Sequence, residues 1–252
     1  MRTGSKPEID YLLIDVSNSF TKLAFSSAER VARPSQMPTR KLTQSALTKL
    51  ITSRRIRAIV VSSVVPAKNG LIKKAAGAAR VLFVDAKTNL GVGVDYPAPH
   101  SIGADRLANA AAVAQLYGSP AIVVDFGTAV TFDVVSAAGD YVGGVIAPGL
   151  EAMTSFLYHR TALLPKLTLR EPASAIGKTT RGAMMSGAIY GYRGLVREII
   201  ARIRAESFPK NNVRVVATGG YAQLIARQIP EIESVHPGLT LEGLRLIAKL
   251  NI

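Results

Sequence analysis

Two segments of the sequence share one plan, in which an apolar run ends on an aspartate and returns through a small polar turn. The aspartate is Asp15 in LLIDVSNSFTKLAF (12–25) and Asp125 in IVVDFGTAVTFDVV (122–135). Backbone N–H groups in such turns form a cradle for anions, and a carboxylate beside a phosphate is favourable when a divalent cation lies between them. The nearby hydroxyls are those of Ser19, Thr128 and Thr131. Together the segments predict a site for nucleotide and metal, although each alone is also a plain hairpin turn.

Two further loops carry residues that could take part in chemistry. In IGADRLANAAA (102–112), Asp105 and Arg106 lie in the first turn of a predicted helix, where they could act as proton acceptor and anion clamp. A capped helix start is the simpler alternative. In ATGGYAQLIA (217–226), two glycines between a strand and a helix could let the backbone approach adenine and ribose, or could form an ordinary turn.

Apolar β-branched runs alternate with helical segments along the chain, and this alternation predicts an α/β protein. Strands are expected within 12–25, over 58–66 and 81–85, within 121–135 and at the start of 213–229. Helices are expected just before 81, over 105–118, from about 151, over 179–206, after the Gly-Gly turn of 213–229 and over 240–251. The segment 142–150 contains two glycines and a proline. The two aspartate hairpins lie 110 positions apart and suggest two similar halves. We therefore divide the chain into a polar extension (1–9), an N-terminal half (10–118) and a C-terminal half (119–252).

The composition excludes several classes of site. The 252 residues include no cysteine, which excludes disulfides, thiolate zinc sites and cysteine nucleophiles and fits a cytoplasmic location. No apolar run approaches 18 residues, and no apolar stretch precedes the first strand, so we expect neither a membrane span nor a signal peptide. The net charge of +14 comes from scattered residues without interleaved aromatics, which favours a solvated basic surface over nucleic-acid binding.

The motifs, taken in order, resemble those of the type III pantothenate kinases, also called the Bvg accessory factor family. They are IDVSNSFTK, VSSVVP, YPAPHSIGADRLANA, DFGTAVTFD, GGVIAPGL, GKTTRGAMMSG, ATGG and LEGL. The resemblance covers residues 10 to 250. It implies two actin-like (ribonuclease H-like) halves with mixed sheets flanked by helices and a nucleotide in the cleft between them. It also implies phosphorylation of pantothenate to 4′-phosphopantothenate by ATP, the first step of coenzyme A biosynthesis.

The resemblance also implies roles for individual residues. The ATP phosphates would be held by Asp15, Val16, Ser17, Asn18, Ser19, Phe20, Thr21 and Lys22, with Asp15 placing Mg²⁺ and Thr128 touching ATP. Pantothenate would contact Tyr96, Gly103, Ala104, Asp105, Arg106 and Thr180. Asp105 would accept the proton of the pantothenate hydroxyl, and Asp125 would help to hold a monovalent cation, K⁺ or NH₄⁺. The pantothenate site of this family lies at a dimer interface, so a homodimer is implied.

Position 17 departs from the family pattern Asp-x-Gly-Asn-Thr/Ser, because Ser17 replaces the glycine. If the turn needs a positive φ there, the serine costs about 1 kcal/mol of strain. Its side chain could crowd a phosphate or donate a hydrogen bond to it. Two alternatives to a working pantothenate kinase follow: a catalytically impaired, nucleotide-binding regulatory relative that uses its basic surface, or a kinase of another small hydroxy acid.

Overall fold

The computed structural model describes residues 10–209 and 212–252, which form two sheets flanked by helices. The predicted extension, residues 1–9, lies outside the described residues. The strands are β1 (Tyr11–Val16), β2 (Phe20–Ser26), β3 (Ser35–Pro38), β4 (Ala58–Ser63), β5 (Arg80–Phe83), β6 (Gly93–Val94), β7 (Ala121–Phe126), β8 (Ala129–Val135), β9 (Asp140–Pro148), β10 (Arg214–Gly219) and β11 (Ser234–Val235). The helices are α1 (Gln44–Thr52), α2 (Pro66–Ala76), α3 (Ala104–Tyr117), α4 (Leu150–Arg160), α5 (Thr180–Ser207), α6 (Ala222–Ala226) and α7 (Leu239–Asn251).

The described chain divides into two compact units. The first contains residues 10–116 and Leu239–Ile252, and the second contains Tyr117–Gly238. The first sheet has the strand order β3-β2-β1-β4-β5, with β1 antiparallel to β2 and parallel to β4. Within the second unit the order is β11-β10-β7-β8-β9, with β7 antiparallel to β8 and parallel to β10. Each unit thus places an aspartate hairpin beside a parallel strand, and the predicted α/β class with mixed sheets is confirmed.

The first sheet is covered on both faces, because β1 and β4 carry apolar side chains on each side. Leu12 and Ile14 face the core formed with α1 and α2. Leu13 and Val60 face the opposite core, which contains Leu107 of α3. Strict alternation along β1 therefore decides which face each later residue of the strand occupies. In the second unit α5 supplies the cover, and its buried residues Ile189, Val196 and Ile200 pack in the core of the sheet.

The last helix, α7, packs in the first unit, whereas the division made from sequence assigned residues 119–252 to the second half. Leu241, Leu244 and Ile247 of α7 lie in the core that also contains Leu13 and Leu107. The Thr240 hydroxyl donates a hydrogen bond of 2.9 Å to Oδ1 of Asn109 on α3. These contacts join residues far apart in sequence, which a local pattern does not record.

Two further predictions concern boundaries and membranes. The strand predicted over 58–66 is shorter, since β4 ends at Ser63 and Pro66 begins α2. Proline suits the first position of a helix, where its missing N–H group is not needed. None of the helices in the described ranges is long and apolar enough to cross a bilayer.

Candidate active site

Asp15 lies near the carboxyl end of β1 and is only 4% exposed. It shares the face of Tyr11 and Leu13, which pack toward α3 and α7. Asp15 is in register with Lys22 on β2 and with Ser62 on β4. Because directly opposed residues point to the same side of a sheet, a carboxylate, an ammonium group and a hydroxyl stand in a row on this face.

Thr39, which follows β3, stabilises the turn after β1 with hydrogen bonds that brace its backbone. The backbone N–H of Ser17 donates to the Phe20 carbonyl (3.1 Å), which closes the turn. The Thr39 hydroxyl donates to the Ser17 carbonyl (2.6 Å), and the Thr39 N–H donates to the Ser19 carbonyl (3.0 Å). Thr21 is fully buried, and its hydroxyl lies 3.0 Å from that of Thr39. The brace leaves Asn18, Ser19 and Phe20 exposed at the tip.

Ser17 adopts an ordinary backbone conformation. Within residues 10–209 and 212–252, no residue other than glycine has a positive φ. The strain of about 1 kcal/mol considered for a left-handed serine therefore does not arise at this position. Ser17 is partly buried at the base of the turn, so its replacement of the family glycine leaves the backbone of the turn intact.

Ser62, in the VSSVVP motif, received no role from the sequence. Its side chain is fully buried, and its Oγ finds no hydrogen-bond partner in the described part of the chain. A buried hydroxyl without a partner is unusual and calls for an explanation. The pairing of β1 with β4 continues beyond Ser62, since the Val64 N–H donates to the Val16 carbonyl (3.0 Å). The unpartnered, buried hydroxyl of Ser62 beside Asp15 marks this residue as a candidate for the site, and the sequence alone could not show it.

Asp105 reaches the same edge of the first sheet through the start of α3. Its Oδ1 accepts a hydrogen bond of 2.9 Å from the N–H of Arg106, which fixes the carboxylate at the helix N-terminus. A Cβ on Gly103 would lie 2.6 Å from that Oδ1 and 3.5 Å from Cγ1 of Val64. A side chain at position 103 would therefore displace the Asp105 carboxylate from this place. The ends of β1 and β4 and the first turn of α3 therefore meet, and they bring Asp15, Ser62 and Asp105 to one edge.

The other residues predicted to contact pantothenate divide between the units. Ala104 and Arg106 flank Asp105 on α3, and partly buried Tyr96 lies in the segment that leads into this helix. Thr180 begins α5 in the second unit and is exposed. The preceding Thr179 caps that helix, because its hydroxyl accepts a hydrogen bond of 3.0 Å from the N–H of Gly182.

The second unit builds a related turn around Asp125. This aspartate is the last residue but one of β7 and is in register with Thr131 on β8 and Thr218 on β10. Gly219 has a φ of +93°, and a Cβ there would lie 2.6 Å from Oδ1 of Asp125. A Cβ on Gly149 would overlap the backbone carbonyl of Thr128. The backbone of Gly149 thus packs directly against the Gly127–Thr128 turn and leaves no room for a side chain at position 149.

Tyr192 of α5 supports this arrangement from the core. It is almost fully buried, and its hydroxyl donates a hydrogen bond of 3.3 Å to the Pro148 carbonyl, next to Gly149. Burial raises the pKa of the Tyr192 hydroxyl to about 12. The hydroxyl is protonated at neutral pH, and its hydrogen bond holds the Pro148 carbonyl beside Gly149, which packs against the Thr128 turn.

The carboxylates fit metal binding that depends on a nucleotide. Within the described ranges, no group of three or more histidine, aspartate and glutamate side chains gathers to hold a metal. Mg²⁺ commonly takes only one or two protein carboxylates and completes its shell with water and substrate phosphates. Asp15, beside the exposed turn, fits this pattern. Asp125 offers carboxylate oxygens, which are the ligands that hard cations prefer.

Comparison with known proteins identifies the family. Residues 11–202 match the family described as type III pantothenate kinase. A type III pantothenate kinase from Akkermansia muciniphila is 50% identical over 250 residues, covering 96% of this chain and 99% of the relative. The chain belongs to the type III pantothenate kinase family. Another type III pantothenate kinase, from Methylacidiphilum infernorum, is 39% identical over 241 residues, covering 96% of this chain and 89% of that protein.

Solved structures agree with this member of the type III pantothenate kinase family at the level of fold. A Baf family protein from Campylobacter jejuni has a TM-score of 0.64 at 19% identity, covering 95% of this chain and 98% of that one. A polyphosphate/ATP-glucomannokinase from Arthrobacter has a TM-score of 0.51 at 12% identity, covering 97% of this chain and 100% of that one. The predicted actin-like kinase fold is confirmed.

Proposed function

We propose that this chain transfers the terminal phosphoryl group of ATP to the hydroxyl of pantothenate, with Asp105 as proton acceptor. The product is 4′-phosphopantothenate, the first intermediate on the route to coenzyme A. The observation that carries the proposal is the placement of Asp15 and Asp105 at one edge of the first sheet, in a chain of this family. We expect the reaction to take place in the cytoplasm.

Asp105 suits the role of proton acceptor because it is held in position. The N–H of Arg106 fixes one carboxylate oxygen, and the first turn of α3 stabilises the ionised form. The transition state of phosphoryl transfer is loose, so the position of the base matters more than its strength. The guanidinium of Arg106, on the same helical turn, supplies a forked donor for the carboxylate of pantothenate.

The turn at Ser17–Phe20 suits the phosphates of ATP. Its tip offers the backbone N–H groups of Asn18 and Ser19, and Lys22 adds a positive charge on the face of Asp15. Asp15 would hold Mg²⁺, which neutralises charge on the phosphate oxygens when it is bound with ATP. The buried Ser62 hydroxyl supplies a further hydrogen bond to the phosphates or to a water molecule between them and Asp15. We expect Thr128 to contact ATP and Asp125 to hold the monovalent cation.

A homodimer is the assembly that the second unit supports. Met153, Phe156 and Leu157 follow the i, i+3, i+4 spacing of one face of α4, and all three are exposed. Leu163 and Ile176, between α4 and α5, are 89% and 81% exposed. A contiguous exposed apolar face, such as that of α4, is typical of a surface that a partner covers. A second copy of the chain would cover them.

The test is ADP release by purified protein with Mg-ATP, with and without pantothenate, in K⁺ and in Na⁺. We expect release that requires pantothenate and is faster in K⁺. Asp105→Asn should lose about a hundredfold or more in turnover, as expected for a general base, while its affinity for Mg-ATP, measured by calorimetry, is retained.

Asp85→Asn is the matched control, because exposed Asp85 lies in the same unit and bonds only to the neighbouring Lys87 and Thr88. Its turnover should equal that of the wild type. Wild-type protein that binds ATP but shows no release dependent on pantothenate would overturn the proposed function. An Asp105→Asn variant with full turnover would overturn only the role of Asp105.

A further inference from the structure

We propose that the first unit carries a second binding site, for a small organic phosphate with an apolar body. The site is a cavity of about 560 Å³ on the face of the first sheet that packs against α1. This volume lies in the usual range for small-molecule sites. The inference does not depend on the kinase reaction and concerns none of the residues assigned to it.

The cavity lies at the opposite end of β2 from the phosphate turn. Its walls come from the last residues of β2, the loop that follows, and the C-terminal end of α1. Phe25, which lines it, is five residues beyond Phe20 at the tip of the turn. At about 3.4 Å per residue, this separation is roughly 17 Å along the strand. A ligand in the cavity therefore does not occupy the phosphate turn.

Three arginines, Arg30, Arg33 and Arg54, line the cavity, and no acidic residue lines it. In the described part of the chain, no ion pair joins any of their guanidinium groups to a carboxylate. Uncompensated positive charges that converge on one concave surface repel one another and attract an anion. Guanidinium groups match the planar, forked geometry of phosphate oxygens.

Apart from three serines, the rest of the lining is apolar, and this sets the second requirement on the ligand. Phe25, Leu23 and Leu50 form much of the wall. The Arg54 guanidinium lies 4.8 Å from the centroid of the Phe25 ring, so this cation is already placed over an aromatic face. A hydrophobic wall beside guanidinium groups favours a ligand with an apolar body and an anionic group over inorganic phosphate alone.

The loop that carries Arg30 is held by its own hydrogen bonds. The Ser26 hydroxyl donates to the carbonyls of Ser27 (2.7 Å) and Arg30 (3.1 Å). The Ser27 hydroxyl accepts from the N–H groups of Glu29 (3.2 Å) and Arg30 (3.1 Å). The backbone of Arg30 is thus ordered before any ligand arrives, which lowers the entropy lost on binding.

The probe for the test is 2-naphthyl phosphate, followed by fluorescence and calorimetry in the presence of saturating Mg-ADP. We expect saturable binding at one site per chain, and much weaker binding of inorganic phosphate and of 2-naphthol. The Arg30→Gln/Arg54→Gln double variant should bind at least about tenfold more weakly, because two charge-assisted contacts are lost. Arg33→Gln, at an exposed position, gives an independent loss if the double variant does not fold.

Arg55→Gln is the matched control. Arg55 is exposed and adjacent to Arg54 in sequence, but it does not line the cavity. Its affinity for the probe should equal that of the wild type, and basal ADP release should be unchanged in all variants. An equal loss in Arg55→Gln would mean attraction by overall charge and would overturn the site. Displacement of the probe by Mg-ADP, or unchanged affinity in the arginine variants, would also overturn it.

Discussion

At the scale of single residues, Ser62 gives the most specific test of the proposed site. Burying a hydroxyl without a partner costs about 1–3 kcal/mol, and Ser62 bears this cost beside Asp15. We therefore expect Ser62→Ala to unfold at the same temperature as the wild type or higher. Its kcat/KM for ATP should fall about tenfold, the effect of losing one hydrogen bond of about 1.4 kcal/mol in the transition state.

The neighbouring Ser63 is the control for this prediction. Its hydroxyl contacts the backbone of Val65 (3.3 Å from the N–H group and 3.4 Å from the carbonyl oxygen), so it is already used within the protein. Ser63→Ala should therefore lower the unfolding temperature slightly and leave kcat/KM for ATP unchanged. Thermal unfolding and steady-state kinetics on both variants test this prediction. Loss of stability in Ser62→Ala with normal kinetics would show that its hydroxyl has only a structural role.

Ser17 and Ser62 show which features of the site the sequence could predict and which it could not. The aspartates and the turn at 15–22 stood out because their residue types and spacing are local. The effect of Ser17 could not be decided, since it depends on one φ angle that the sequence does not specify. Ser62 was not singled out because an unpartnered buried hydroxyl is a property of the folded neighbourhood, and an isolated serine in an apolar strand carries no such signal.

At the scale of elements, the turn between β1 and β2 depends on Thr39, which is 22 positions from Ser17. Thr39→Val keeps the shape of the side chain but leaves the Ser17 carbonyl without its donor. We expect a loss of about 1–3 kcal/mol in the free energy of unfolding. We also expect a higher KM for ATP, because a looser turn must be ordered on binding. Chemical denaturation and steady-state kinetics measure the two effects.

Thr43→Val separates the turn from overall stability. Thr43 caps α1, its hydroxyl accepting from the N–H of Ala46 (3.3 Å), and its loss should cost about 1 kcal/mol. Because Thr43 does not brace the turn, its KM for ATP should stay at the wild-type value. An equal rise in KM in both variants would assign the effect to general destabilisation.

Elements that arise from local periodicity were predicted well. The helix expected over 179–206 is α5, Thr180–Ser207, and both aspartate hairpins form as expected. Apolar spacing, a threonine cap and a change from period 2 to period 3.6 are all readable within a few residues. The placement of α7 in the first unit was not predicted, because it depends on packing between Leu241–Ile247 and residues more than 100 positions away.

At the scale of the whole molecule, the fold gathers charges that look scattered in the sequence. Arg30, Arg33 and Arg54 come from the loop after β2, the approach to β3 and the segment just after α1, yet they line one cavity. Composition alone predicted a solvated basic surface, which describes the net charge of +14 but not its arrangement. Where charges converge depends on the topology of the sheet, so no count of basic residues could show it.

The proposed dimer gives the whole-molecule prediction, because each of its two active sites would contain residues from both chains. If Thr180 of one subunit completes the site that contains Asp105 of its partner, two inactive variants can restore each other. In a mixed dimer of Asp105→Asn and Thr180→Ala subunits, one of the two sites combines the wild-type Asp105 of one chain with the wild-type Thr180 of the other. Random pairing should then restore about a quarter of wild-type turnover, since half of the dimers are mixed.

The experiment co-expresses the two variants with different tags, purifies the protein and measures ADP release that requires pantothenate, together with mass by light scattering. Phe156→Asp, placed in both variants, is the control, because a charge at this exposed apolar position on α4 should separate the subunits and abolish the restored activity. Leu116→Asp, at an exposed apolar position of α3, should leave it in place. A mixture that forms dimers but stays inactive would place Thr180 and Asp105 in the same chain's site, and a wild-type monomer with full turnover would overturn the dimer.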